Sequence, residues 1–359
     1  MSGARSPRVQ IPPPDDGARR AAEARQRELL KPPGSLGRLE RLAVELAAMT
    51  GGDLRGVERA AFLVFAADHG VAAEGVSAYP AEVTRQMVRA FLSGGAAIAV
   101  LARRAGFPLW VVDVGMCGDL DAALEGVDRQ QLVRARVRDG ARNFAHEPAL
   151  RPDEVDAALA VGATRVEAAL VAGAGLIGLG EMGIGNTTAA AAVLAAATGC
   201  DPRAVTGPGT GIDGRGLESK VEVVRSALAR HRPDPDDPLD VLAKVGGLEI
   251  AALTGAIVAA AAARTPVLLD GFIVTTAALL AEALAPGCRD YLIAAHRSRE
   301  PGHGLALERL ALSPLLDLDL RLGEGSGAAL ALPVVIAAAA LHTEMATFAE
   351  AGVSAGDGP

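Results

Sequence analysis

Five short apolar runs, Ala61 to Ala67, Leu109 to Val114, Leu176 to Leu179, Pro266 to Leu269 and Tyr291 to Ala294, alternate along this chain with longer alanine-rich stretches of helical character. Runs of this length, apolar on both faces and separated by helical stretches, predict parallel strands buried between two helix layers. Each run leads into a polar residue: Asp68-His69, Asp113, Glu181, Asp270 and His296. Ligands of open α/β sheets bind beyond the carboxyl ends of the strands, so five such ends point to a site where they converge. Acids after strands also serve as helix N-caps, which accounts for one or two of them.

Composition excludes several function classes. With 35 basic and 43 acidic residues the net charge is −8, which argues against nucleic acid or an anionic membrane as partner. One Trp and two Tyr leave little aromatic surface for base stacking, so a phosphate ligand must be held locally. Cys117, Cys200 and Cys288 lie far apart in no metal-ligand spacing, which predicts reduced thiols in the cytoplasm and no structural zinc. The N-terminus has no apolar core of a signal peptide. The apolar runs Ile250 to Ala263 and Ala328 to Leu341 are about 14 residues each, short of the ~20 that span a bilayer, and predict buried helices. Residues 1–20 and Ser354 to Pro359 are expected to be disordered tails, with helical periodicity beginning near Ala21 and resuming from Leu36 to Met49.

Four segments carry candidate chemistry. Arg321-Leu322-Gly323-Glu324-Gly325-Ser326-Gly327 isolates one carboxylate among small residues. Glycine has no Cβ to hold a ligand away, so Glu324 is a candidate general base, although a helix N-terminus with an acid in its first turn would look the same. Gly178-Leu179-Gly180-Glu181-Met182-Gly183 matches the G-x-G-x-x-G dinucleotide pattern. Its required distant acid should end a second strand, whereas Asp201 follows an alanine-rich helix, which argues against an NAD-dependent oxidoreductase. What survives is a glycine-rich turn entering a helix at Asn186-Thr187-Thr188, able to offer free N–H groups to an anion. A second glycine-rich segment, Thr206 to Asp213, precedes a helix bearing Lys220, and His296-Arg297-Ser298-Arg299-Glu300 brings two guanidinium groups and a hydroxyl after the last strand.

Taken together, Lys31 to Glu40, Ala67 to Val71, Gly180 to Thr188, Lys244 to Gly247, Leu268 to Phe272 and Arg321 to Gly327 resemble, in order, the nicotinate-nucleotide–dimethylbenzimidazole phosphoribosyltransferases, the CobT family of cobalamin biosynthesis. The resemblance implies a doubly wound parallel sheet flanked by helices, with a smaller helical domain built from both termini (residues 21–50 and 305–353) beside a catalytic domain of residues 51–304. It also implies a homodimer that needs no cofactor or metal and transfers phosphoribose from nicotinate mononucleotide to 5,6-dimethylbenzimidazole. A catalytically silent nucleotide-binding protein of the same fold is the other alternative, and the presence of Glu324 speaks against it.

Carried over residue by residue, the resemblance makes Glu324 the base. It assigns Glu181, Gly183, Asn186 and Thr187, with Lys220, Asp270, Gly271 and Ser298, to the nucleotide. Tyr79, Met87 and Leu322 border the benzimidazole. Tyr79 stands where some members of the family carry a smaller polar residue.

Overall fold

The structure, a computed structural model, describes residues 9–354. Six strands form one parallel sheet: β1 Ala60–Ala67, β2 Leu109–Gly115, β3 Leu132–Arg134, β4 Leu176–Met182, β5 Val267–Leu269 and β6 Leu292–Ala294. Their spatial order is β3-β2-β1-β4-β5-β6, with every neighbouring pair parallel. The chain order reverses between β1 and β4, so the crevice beyond the carboxyl ends of these two strands is where a doubly wound sheet takes its ligand. All eight residues of β1 are buried. Burying a side chain such as Phe62 or Phe65 contributes roughly 2–3 kcal/mol, which is why this strand sits at the centre.

Five of these strands coincide with the apolar runs, and β3 is an addition: three half-exposed residues at the sheet edge carry no apolar signal. β4 runs on through Met182, so Gly178, Gly180 and Glu181 lie within the strand and not in a glycine-rich turn. The turn is only Gly183 to Gly185, before the helix Asn186–Thr198. Gly178 pairs with Phe62, and a Cβ there would come within 2.4 Å of the Phe62 ring, itself stacked on Phe107 at 4.2 Å. Core packing therefore accounts for this glycine of the apparent dinucleotide pattern. Asp201 caps the short helix Pro202–Val205 through the Arg203 N–H and follows a helix, not a strand.

The helix Asp16–Glu28 starts inside the segment expected to be a tail, capped by the Asp15 carboxylate at the Ala18 N–H. Residues 1–8 of that tail, and 355–359 of the other, lie outside the described residues. The first helix packs on the helix Arg38–Thr50, which packs on the helix Ser326–Glu344. Arg25 ties the two ends of the chain together, donating to the carbonyls of His342 (2.7 Å) and Met345 (3.1 Å). The buried helix Leu248–Ala262 matches expectation. The last long helix is longer than its apolar run and, by length and composition alone, could cross a bilayer, yet it packs on β4 and β5 as part of the core.

Candidate active site

Glu324 stands on a backbone that few residues adopt. Its φ is 66°, between Gly323 at 84° and Gly325 at 85°, so three consecutive residues are left-handed. A non-glycine residue there is strained, and strained residues of this kind cluster at active sites. Two features hold the segment. Asp270, immediately after β5, accepts N–H groups from Gly325 (3.0 Å), Gly327 (2.8 Å) and Ala328 (3.1 Å). Gly180 in β4 lets the segment lie directly on the strand, since a Cβ there would meet the Gly325 nitrogen at 2.5 Å. The helix that begins at Ser326 is thus capped by a carboxylate 55 residues or more away in sequence.

This arrangement buries the Glu324 side chain to 5 % exposure, and its Oε2 has no hydrogen-bond partner among the described residues. Loss of solvent, and then the negative Asp270 nearby, push its pKa up to about 7. Glu181, fully enclosed, rises to about 8 through burial and the charges of Asp270, Glu249 and Glu324, against an opposing hydrogen bond from the Asn186 amide. Near neutral pH this pair holds protons that exposed carboxylates would have released.

On the next flank, the Lys220 ammonium is buried and donates to Thr187 Oγ1 at 2.8 Å, and burial lowers its pKa to about 8 against the pull of Glu300. Gly209 closes the cradle: a Cβ there would meet Thr187 Oγ1 at 2.7 Å and the Lys220 nitrogen at 3.0 Å. The Gly209 N–H donates to Glu300 Oε1 at 3.1 Å, and its carbonyl accepts from Arg321 at 3.3 Å.

Among the expected site residues, the structure draws Glu181, Asn186, Thr187, Lys220 and Asp270 around Glu324 or this adjoining cradle. Asp270 turns both oxygens to the backbone of the Glu324 segment. Gly183 packs on the sheet, for a Cβ there would lie 2.4 Å from the Ala67 carbonyl. Gly271 faces His296 with space for ordinary contact. Ser298 donates its N–H to His303 Nδ1 at 2.8 Å, so His303 Nε2 carries the proton toward Thr275 Oγ1 at 3.1 Å. That tautomer agrees with a pKa held near 3 by burial and by His296. Tyr79 and Leu322 are on the surface, 55 % and 56 % exposed, while Met87 is partly buried on the helix Val83–Leu92. Thr84 of that helix accepts the Ile184 N–H at 3.1 Å, and Ala78 donates to Thr210 at 2.9 Å, so both loops adjoin the glycine-rich turns.

Of the five polar strand ends, Asp113 stays outside, paired with Arg136 at 3.1 Å. The two guanidinium groups after the last strand turn outward, Arg297 toward Asp317 and Arg299 toward Asp319, as in a surface run. The inward residues of that extended segment are His296, Ser298 and Glu300, an alternation of period two visible in the sequence. The sequence reading missed Glu300 and also the buried His69–Glu249 pair at 2.7 Å, whose His pKa is lowered by burial but raised more by the Glu249 carboxylate. Among the described residues no group of three or more His, Cys, Asp or Glu could hold a metal ion. Two surface clefts of about 430 and 350 Å³, one at Arg38 and Leu312 and one at Asp15 and Gly51, are lined by none of these site residues.

A phosphoribosyltransferase family model matches residues 11–353. The chain belongs to this family. It is 53 % identical over 344 residues, 96 % of both chains, to the nicotinate-nucleotide–dimethylbenzimidazole phosphoribosyltransferase of Chloroflexus aggregans. It is 52 % identical to the protein of that name from Bradyrhizobium sp., again over 96 % of both chains. The crystal structure of the Thermus thermophilus protein of that name superposes with a TM-score of 0.88 at 50 % identity, covering 95 % of this chain and all of that one. The resemblance read from six sequence blocks and the α/β fold it implied are both borne out, and the hydride-transfer alternative finds no support.

Proposed function

We propose that this protein transfers the phosphoribosyl group of nicotinate mononucleotide to 5,6-dimethylbenzimidazole, releasing nicotinate and α-ribazole 5′-phosphate for the lower ligand of cobalamin. The observation that carries the mechanism is Glu324: a buried carboxylate with one unpartnered oxygen and a pKa raised to about 7. The pyridine nitrogen of the nucleotide is positively charged and leaves C1′ as a neutral ring, so departure needs no acid. The benzimidazole must lose its N–H proton as its other nitrogen attacks, and a base is most effective when its pKa lies near the working pH. Glu324 takes that proton. Glu181, with a pKa near 8, is mostly protonated at neutral pH, whereas Glu324, near 7, is about half ionised and supplies the anion of the pair. Attack from the face opposite the departing ring converts a β linkage to an α linkage.

The nucleotide is assigned to the cradle of Thr187, Lys220 and the Gly209 loop, where an ammonium and backbone N–H groups suit a phosphate. Tyr79, Met87 and Leu322 are assigned to the benzimidazole side, where partly exposed apolar surface suits a flat ring. We infer two copies in the cytoplasm, on the family resemblance and on three cysteines in no disulfide. The test is to incubate the protein with nicotinate mononucleotide and 5,6-dimethylbenzimidazole and to identify nicotinate and the ribotide by mass. Absence of both products overturns the reading.

A further inference from the structure

Glu300 is a buried carboxylate beside the cradle of Lys220, Thr187 and Gly209. It ends the extended segment after β6 and caps the helix Pro301–Arg309, with only 6 % of its surface exposed. Its Oε1 accepts the Gly209 N–H, a donor that also lines the cradle around Lys220 and Thr187. Its Oε2 is buried without a partner among the described residues, pressed so close to Gly207 that a Cβ there would lie 2.3 Å away. Lys220 has three N–H bonds to donate and one protein acceptor, Thr187, and no ion pair joins it to Glu300 within 4.0 Å among the described residues. An ammonium with unused donors and a carboxylate with an unused oxygen therefore flank the same Gly209 loop, out of water.

The charged groups that face Glu300 are few. Lys220 comes from the helix Gly214–His231, and Arg321 from the segment before Glu324. The helix Asn186–Thr198 contributes the neutral Thr187. Arg203 of the short helix Pro202–Val205 turns to Glu218 at the surface, and Glu282 of the helix Phe272–Leu284 accepts from Gly287 and Arg289 at the far end. On its own segment Arg299 points toward Asp319, and His303, its ring held neutral, donates its backbone N–H to the Glu300 carbonyl.

We propose that Glu300 holds the phosphate of the nucleotide in its protonated form, so that binding draws one proton from solvent onto this side chain. A dianionic phosphate beside an ionised, desolvated carboxylate would be repelled. The same carboxyl, protonated, gains an O–H donor and adds it to the unused N–H donors of Lys220. No covalent bond changes; the proton comes from the buffer and returns to it when the product leaves. Burial already raises the Glu300 pKa, with Lys220 next in opposing it, so the carboxyl is biased toward this state before the phosphate arrives. Glu300 is thus a binding and positioning residue, distinct from the base Glu324.

This proposal rests on the nucleotide reading, and titration calorimetry at pH 7.0 in buffers of different ionisation enthalpy separates the two. At that pH a phosphate monoester is already mostly dianionic, its second pKa being about 6, and Lys220 is mostly protonated. Uptake approaching one proton per nicotinate mononucleotide is expected for the wild-type chain, falling to less than about half in Glu300→Gln with affinity equal or tighter. Equal uptake in both proteins overturns the proposal. The wild-type chain alone supplies a second reading, free of any folding defect in the variant: its Kd should rise up to about tenfold from pH 6.5 to 7.5, and a flat Kd overturns the proposal. Ribose 5-phosphate is the control ligand. Its binding with proton uptake, when the mononucleotide does not bind, would sink the substrate reading alone, and binding of neither ligand sinks both.

Discussion

Glu324 and Glu154 are equally buried, each 5 % exposed, and their acidities lie at opposite ends of the carboxylate range. Glu154 begins the helix Pro152–Val171, where Arg142 grips it with two N–H bonds at 2.7 and 2.9 Å, the Arg151 N–H donates at 2.7 Å, and Arg138 lies 3.7 Å away. Burial pushes its pKa up, but these partners outweigh that and bring it down to about 2. Glu324 is as little exposed and has no cation in contact among the described residues. Its nearest charged influence is another acid, Asp270, and it stands near 7. Burial alone therefore does not determine what a carboxylate does. One is permanently ionised and serves stability; the other is poised to exchange a proton, as catalysis requires.

The most severe test of this contrast is Glu324→Gln, which keeps shape and removes the base. Turnover should fall about 10²- to 10⁴-fold while calorimetry still shows nucleotide binding. Near-normal turnover would place the base elsewhere.

Glu154→Gln should leave turnover close to wild type and cost up to about 3 kcal/mol of stability at neutral pH, seen in urea unfolding. A carboxylate whose folded pKa lies below its unfolded value stabilises fully above pH 4.5 and loses this as pH falls toward 2. The cost of the substitution should therefore shrink below pH 4. A constant cost at all pH values would mean that lost packing and not charge is responsible.

For Glu181 and the proposed base Glu324 the sign reverses. Glu181 and Glu324 bind more protons in the folded chain than in the unfolded one, so stability should decline by about 1–2 kcal/mol between pH 6.5 and 8 in the ligand-free protein. His303, with its folded pKa near 3, acts below pH 6.5, Lys220, near 8, acts chiefly above that window, and buried His69, its pKa raised, adds to the decline. Glu181→Gln should reduce the slope, and a wild-type profile that is flat or rising would break the comparison.

The smallest expected effect is the most specific. Asp270→Asn removes the negative neighbour of Glu324, so the acid limb of kcat/KM, expected near pH 7, should move down by about one unit. An unmoved limb would leave burial as the sole cause of the Glu324 pKa.

Much of this was legible in one dimension. The apolar runs located five of six strands because a strand buried on both faces must be continuously apolar, and the Gly-Glu-Gly-Ser-Gly segment stood out because isolated charge among glycines is unusual. The rest depended on what comes near in space. Gly178 and Gly180 looked like one phosphate-binding turn, but a phenyl ring explains the first and the Glu324 backbone the second. Asp113 looked equivalent to Asp270 at a strand end until Arg136 engaged it. Glu300 was passed over for its arginine neighbours, although the alternation of the segment could have identified it as the inward residue.

The sequence by itself determined the parallel sheet, the family and the identity of the candidate base, because hydrophobic periodicity and glycine placement are local properties of the chain. Only the tertiary structure decided the chemical state of the acids. A carboxylate's pKa depends on solvent removed and charges brought within a few ångströms, and here those come from far along the chain: Asp270 reaches Gly325, Gly180 underlies it, and Glu300 meets Gly209 across 91 residues.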